Sequence, residues 1–449
     1  MNLKFSHPLR RALLAASVAS VLWAGAASGE DLLQVYREAQ KSDPALASAR
    51  ANWEATQERV PQARAGLLPN VALSGSANVN NIDVTVHSNP NINTNRTYNQ
   101  GGLTFSASQP LYRPQNVVLL GQAKEQVNQA DYTLAIAQQD LIIRTAVAYF
   151  DVLLAEFNIE LVGQQKIATI EQLAQAKRNF EVGTATITDT NEAQARFDQI
   201  NASEIQFINE LDRRRTALRA IIGRFPSSLK RVRAFEPMPP SPNTLEYWVD
   251  LAVRDNLGVR VQQANVDIAT LEIDRARAGH YPTLDLVGSF TGQASSGSSS
   301  TGFNSDSRQA LLGLQLNVPL YQGGFVNSRV RESIALLDRS RADLETVKRA
   351  AISNAQDGFS GVNSAVASVK AFEQAAVSAD VALQSNILGQ EVGIRTNLDV
   401  LNVRQNVYQA RRDVANAYFT YLLATLRLKA ATGALSETDL EALNRRLQG

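Results

Sequence analysis

Residues able to do chemistry are few in this chain, and their spacing speaks for helix capping and charge placement, not for catalysis. The only histidines are His7, His87 and His280, far apart along the chain. There is no cysteine, which excludes disulfide staples, thiolate nucleophiles, cysteine-ligated metals and lipid attachment through an N-terminal cysteine. No metal-ligand spacing, nucleophile motif or phosphate loop occurs. No catalytic, cofactor-binding or metal-ligating residue is therefore assigned, and no cofactor is expected. The run Arg213-Arg-Arg215 reads as a solvated helix face. What remains is a matched pair of short segments. Thr186-Ile-Thr-Asp189 and Thr396-Asn-Leu-Asp399 have the Thr-x-x-acid spacing that caps the first turn of a helix. Gly183 and Gly393 stand just before them, where the end of a preceding helix calls for a left-handed residue.

These turns need elements to hold them, and composition limits what the elements can be. Lys plus Arg total 44 against 43 Asp plus Glu, so no long-range field favours nucleic acid. The amino terminus has a basic start, an apolar run over 12–27 and the small pair Ser28-Gly29, which together read as a secretory signal peptide cleaved after Gly29. That run, about 16 residues, falls short of the roughly 20 a spanning helix needs. No later run approaches that length, so the mature chain is either soluble outside the cytoplasm or inserted as a β-barrel.

The chain repeats itself with a period of about 210 residues. Val182-Gly183 recurs as Val392-Gly393, Thr186 and Asp189 as Thr396 and Asp399, and Ile222-Gly223 as Thr432-Gly433. Gly66-Leu-Leu-Pro69 recurs as Gly279-His-Tyr-Pro282, and Pro110-Leu-Tyr112 as Pro319-Leu-Tyr321. The expected divisions are a signal peptide (1–29), a first repeat (30–223), a proline-rich linker (224–244), a second repeat (245–433) and a C-terminal tail (434–449). Each repeat reads helix, strand, polar loop, strand, very long helix, tight turn and return helix.

Period-two alternation marks the strands. Val71, Leu73, Ala77 and Val79 share one face of the first. Leu103, Phe105 and Ala107 alternate with Thr104, Ser106 and Ser108, and Leu312, Leu314, Leu316 and Val318 alternate with Gly313, Gln315 and Asn317. Leu284, Leu286 and Phe290 alternate with Asp285, Ser289 and Thr291, Asp285 being the charged exception. Four segments of about ten residues suit strands that cross a bilayer, apolar face to lipid and polar face to a lumen. Residues 81–102 and 295–307, rich in Asn, Ser and Gly, are expected as external loops. Four strands cannot close a barrel, for which about eight is the minimum, so this reading requires oligomerisation.

Residues 117–182 and 327–392 lack proline and are expected as helices of roughly 66 residues, near 100 Å long. A seven-residue stripe, Val127, Leu134, Leu141, Ala148, Ala155 and Val162, recurs as Leu337, Leu344, Ala351, Gly358, Ala365 and Phe372. A second stripe, Ile136, Ile143, Phe150 and Phe157, lies about 200° around the first helix, which suits a stave in a wall with neighbours on both sides.

With Leu320-Tyr-Gln-Gly-Gly-Phe-Val-Asn-Ser328, Ala148-Tyr-Phe-Asp-Val-Leu153, Val182-Gly-Thr-Ala-Thr-Ile-Thr-Asp189 and Ala410-Arg-Arg-Asp-Val-Ala-Asn-Ala-Tyr418, the mature chain resembles the TolC family of outer-membrane export ducts. The resemblance implies a mixed α and β membrane protein of a Gram-negative outer membrane. In it a homotrimer shares one antiparallel barrel of twelve strands, four per chain, in contact with outer-membrane lipid and continued by an α-helical coiled-coil barrel in the periplasm. It implies a channel for efflux or type I secretion, working with a periplasmic adaptor (membrane fusion) protein and an inner-membrane transporter, ABC or proton-driven, and no enzyme. In the family, the positions of Asp189 and Arg395 belong to a polar latch on the periplasmic mouth, and that of Asp399 lines the constriction. This chain departs from the pattern at Gln390, where a latch tyrosine is common, and at Asn402, where a second constriction aspartate is frequent. The rival reading is a soluble periplasmic coiled-coil adaptor or scaffold without a pore.

Overall fold

The computed structural model describes residues 29–87, 92–232, 235–297 and 303–445. Apart from Gly29, the signal peptide reading therefore lies outside the described residues, as do 446–449 of the tail. The chain forms two compact units, and neither coincides with a sequence repeat: one draws on 1–49, 135–256 and 350–449, the other on 50–134 and 257–349.

The second unit carries the sheet. Strands β1 (Asn70–Val86), β2 (Ile92–Tyr112), β3 (Thr283–Ser295) and β4 (Ser305–Asn317) lie in that order, every neighbouring pair antiparallel. β1 and β4 are its edges. At 17 and 21 residues, β1 and β2 are longer than the alternation indicates. Most of the Asn-rich segment expected as a loop is ladder, with Asn80 opposite Tyr98 and Asp83 opposite Asn95. The reason is physical: alternation reports which stretch has one greasy face, whereas a hairpin propagates through backbone hydrogen bonds that composition does not enter. Asn side chains even reinforce it, Asn80 donating to Gln100 Oε1 at 3.1 Å. Residues 88–91 and 298–302 of the expected loops lie outside the described residues.

On the sheet, Leu73, Val79, Leu103, Phe105, Phe290, Leu312, Leu314 and Leu316 are exposed, the apolar surface expected of a lipid-facing wall. The charged exception, Asp285, accepts a bidentate pair of bonds from Arg113 (Nε 2.8 Å, Nη2 2.7 Å), fastening the chain just beyond β2 to β3 beside a register shift at Pro110/Tyr112. Residues 50–57 of α2 (Pro44–Gln57), with α3 (Arg59–Ala65) and α7 (Leu257–Arg277), also serve this unit.

The other unit is helical. It holds α1 (Leu32–Ser42), α5 (Ile187–Ile222), α6 (Leu245–Asp255), α9 (Asn397–Ala431) and α10 (Glu437–Asn444), with residues 135–181 of α4 (Pro114–Glu181) and 350–391 of α8 (Phe325–Glu391). The seven-residue stripe is buried at Leu141, Ala148, Ala155 and Val162, and again at Ala351 and Ala365, while Phe372 is exposed; Leu337 and Leu344, in the part of α8 that belongs to the sheet-bearing unit, are buried too. The second stripe is buried at Phe150, which stacks on Phe419 with centroids 5.5 Å apart. Among the described residues no helix is long and apolar enough to cross a membrane.

Two segments read as connectors are tied down. The Tyr149 hydroxyl, fully buried, bridges the carbonyls of Glu30 (3.0 Å) and Lys230 (2.9 Å), holding the linker against the start of the described chain. In the tail, Ser436 and Asp439 form the capping box of α10, which buries Leu440 and Leu443. Sequence reading did not assign that helix.

Candidate functional site

The two hairpin turns superpose in their chemistry. Gly183 (φ 80°) follows α4 and Gly393 (φ 79°) follows α8, each in the left-handed region that a side chain opposes. Thr184 donates its N–H to the Asn179 carbonyl at 2.8 Å, and Ile394 donates to Gly389 at 2.9 Å, so one late carbonyl of each helix is satisfied by the turn. Thr186 then caps α5: its hydroxyl accepts from Asp189 N–H (3.2 Å), and the Asp189 carboxylate accepts from Thr186 N–H (2.9 Å) and its hydroxyl (2.8 Å). Thr396 and Asp399 repeat the arrangement at α9, with distances of 3.2, 2.9 and 2.9 Å. The turn residues Gly183, Thr186, Gly393 and Thr396 thus sit where their spacing places them.

Capping also fixes charge. The backbone N–H of Thr396, then its hydroxyl, then the Arg395 guanidinium hold the Asp399 carboxyl below the usual carboxylate range. Replacing Thr396 by valine removes one cap, worth about 1 kcal/mol, and is expected to speed amide hydrogen exchange in the first turn of α9 about fivefold. Unchanged exchange there would deny the cap a structural role.

Arg395 acts on the Asp399 charge in its own turn, but the chain does not bring it to Asp189: Arg395 is exposed, its backbone N–H donates to the Gly389 carbonyl at 3.1 Å, and its guanidinium forms no hydrogen bond or ion pair among the described residues. Its Cγ lies 2.8 Å from where a Cβ on Gly389 would stand, so it lies across the last turn of α8.

Carboxamide side chains take part in every join that charge spacing did not reveal. Asn397 Oδ1 accepts from Gln172 of α4 at 2.6 Å and from Gln390 of α8 at 3.5 Å. Arg196 of α5 donates to Asn402 Oδ1 (2.9 Å) and Gln405 Oε1 (2.5 Å) of α9. Gln390 and Asn402, noted in the sequence for the groups they lack, therefore tether the hairpins. Carboxamides carry no motif spacing, and no signal in a single sequence marks these pairs. The Arg213-Arg-Arg215 run faces acids: Arg214 meets Asp151 and Glu210, each at 2.6 Å, and Arg215 meets Glu156 at 2.8 Å. His280 lies 3.1 Å from Asn327 Oδ1, and His7 lies outside the described residues.

The sequence model of the outer membrane efflux protein family matches residues 35–224 and 248–434. Outer membrane protein TolC of Vibrio cholerae is 33% identical over 434 residues, covering 95% of this chain and 95% of the relative. The proteases secretion protein PrtF of Dickeya chrysanthemi is 32% identical, covering 97% of this chain and 95% of its own. The crystal structure of the outer membrane protein VceC from Vibrio cholerae shares the fold, with a TM-score of 0.74 at 19% identity over 90% of this chain and 96% of that one. These likenesses disfavour the reading as a soluble scaffold. The open-edged sheet with its exposed apolar face and the capped helix hairpins thus belong to a member of the outer membrane efflux protein family, a TolC-type efflux or secretion channel of the Gram-negative outer membrane.

Proposed function

We propose that three copies of this chain close one barrel of twelve strands, that their long helices continue it into the periplasm, and that the turns at 183–189 and 393–399 form the gated mouth. The observation that carries this reading is the four-stranded sheet with two open edges, because four strands cannot close on themselves. Around a threefold axis, Asp399 repeats as a ring of like charges that favours cations and resists further closure. In this reading Arg395, whose guanidinium influences Asp399 but forms no ion pair among the described residues, bonds Asp189 of a neighbouring copy and holds the ring shut. The tethers at Asn397 and Asn402 add a neutral bond from Gln172 and a charge-assisted one from Arg196 to that latch. The same reading takes 1–29 as a secretory signal peptide, and 30–223 and 245–433 as repeats of one unit.

Exposed Val182, Ile187, Val392 and Ile394, the last 78% exposed, ring the turns with apolar surface and support docking of a periplasmic adaptor there. The name of the PrtF relative supports protein secretion beside efflux, with an inner-membrane transporter selecting the cargo. The duct itself performs no reaction on it.

Arg395→Ser is expected to raise single-channel conductance in a planar lipid bilayer severalfold. An unchanged conductance removes Arg395 from the latch; purified protein that is monomeric, or that passes no ions, ends the whole reading.

A further inference from the structure

The internal repeat predicts the seam between copies. In the first hairpin Asn70 pairs with Ser108; adding the offsets of the two motifs, 213 (Pro69 to Pro282) and 209 (Pro110 to Pro319), gives Thr283 and Asn317, which also pair. The offsets therefore carry ladder register, not just sequence likeness. Between the hairpins, β2 meets β3 with Phe105 opposite Phe290, Ser106 opposite Ser289, Gln109 opposite Leu286 and, past the register shift, Tyr112 opposite Leu284. Moving β2 forward by 209 gives β4, and moving β3 back by 213 gives β1.

We propose that the free edge of β4 pairs antiparallel with β1 of a second copy in that transferred register: Leu314 opposite Ala77, Gln315 opposite Ser76, Val318 opposite Leu73 and Tyr321 opposite Val71. This rests on the assembly reading above and adds to it a register. Two further observations support it. Pro110, Leu111 and Tyr112 belong to strand β2, whereas their counterparts Pro319, Leu320 and Tyr321 lie just beyond β4, unpaired. Leu320 is 92% and Tyr321 88% exposed, against 52% and 49% for Leu111 and Tyr112, whose edge has its partner. The faces also agree. Leu312, Leu314, Leu316 and Val318 fall beside Val79, Ala77, Gly75 and Leu73, while Gln315 and Asn317 fall beside Ser76 and Ser74. A slip of one residue in either direction would set Leu312, Leu314 and Leu316 against Asn or Ser. One difference between the seams follows. The Arg113–Asp285 pair that fastens β2 to β3 transfers to Gln322 and Ala72, so the seam between copies lacks its ion pair.

The chain has no cysteine, which makes the register directly testable. The matched double variants are Gln315→Cys/Ser76→Cys and Leu314→Cys/Ala77→Cys. Consecutive antiparallel pairs alternate in type, so one of the two has the closer Cβ spacing that a disulfide accepts. Within one chain these positions are three strand spacings apart, about 14 Å, beyond disulfide reach. Oxidation of the detergent-purified oligomer is expected to give reducible covalent dimers and trimers for a matched pair. At least tenfold less is expected for Gln315→Cys/Asn78→Cys and Gln315→Cys/Ser74→Cys. Preferential linking of a shifted pair, or no linking at all, in an oligomer shown intact by light scattering overturns the register and leaves the assembly standing. Monomeric protein overturns both. Ala72→Asp/Gln322→Arg is expected to raise the dissociation temperature of the oligomer by about 5 °C, with neither single substitution doing so. A double variant no more stable than the parent overturns the register independently.

Discussion

Gly433→Ala is expected to cost roughly 3–5 kcal/mol and to leave little assembled channel. Gly433 ends α9 with φ 75°, and the Cβ of an alanine there would lie 2.2 Å from the Asp255 carbonyl oxygen, 2.9 Å from its carbon and 3.2 Å from Asn256 Cα. All three atoms are backbone, so no side chain can swing aside. The junction is also held by hydrogen bonds that a shift would break: Asn256 Nδ2 donates to the Ala431 carbonyl at 2.8 Å, and Gln139 donates to the Gly433 carbonyl at 2.9 Å.

Its repeat counterpart supplies the control. Gly223 has nearly the same φ, 78°, but a Cβ there meets only the side chain of Ser42, at 3.3 Å from its Cβ. Gly223→Ala should therefore lose only the left-handed backbone preference, about 1–2 kcal/mol. Thermal unfolding followed by circular dichroism, and the yield of heat-resistant oligomer, compare the two. Equal losses would show that conformational preference, not the close approach of α6, decides the cost at Gly433.

That contrast also shows what a sequence carries. Both glycines follow a helix at equivalent repeat positions, and both are left-handed, which capping rules anticipate. The contact of Gly433 with Asp255 joins residues far apart in the chain, and nothing in local spacing announces it. The same division runs through the molecule. The Thr-x-x-Asp boxes at 186–189 and 396–399, the buried stripe of α4 and the greasy faces of the strands were legible, because each arises from interactions within a few residues or from one repeating period. The length of β1 and β2, the helix α10 and the bond of Tyr149 to the linker were not. Each depends on a partner segment that only the fold brings near. At the two helix-hairpin turns, spacing found the charges, whereas the carboxamides of Asn397, Gln390 and Asn402 emerged from geometry alone.

Arg144→Met is expected to destabilise the helical unit by about 2–4 kcal/mol at neutral pH, because it strands a buried carboxylate. Asp43, with a side chain 3% exposed, accepts from Leu46 N–H at 2.8 Å, and both its oxygens are held by Arg144, at 2.9 and 3.1 Å. Arg144 is oriented in turn by Asp140 at 2.6 Å. The Arg144 bond is the main reason the Asp43 carboxyl lies below its ordinary range; burial pushes the other way, and the N–H groups of Leu46 and Ala45 assist the lowering. A carboxyl whose folded value is depressed contributes stability above its ordinary range and loses it as pH falls through the folded value. Without Arg144 the burial effect is opposed by the N–H groups alone, so the carboxyl titrates at higher pH and protonation relieves the variant. The stability gap between parent and variant should therefore narrow as pH drops toward about 4, the ordinary range of an aspartate. Adding Asp43→Asn, which keeps the cap and removes the charge, should restore most of the loss at pH 7. A gap that stays constant with pH, or a double variant as unstable as Arg144→Met, would mean that lost packing of the arginine stem, and not the unpaired charge, sets the cost.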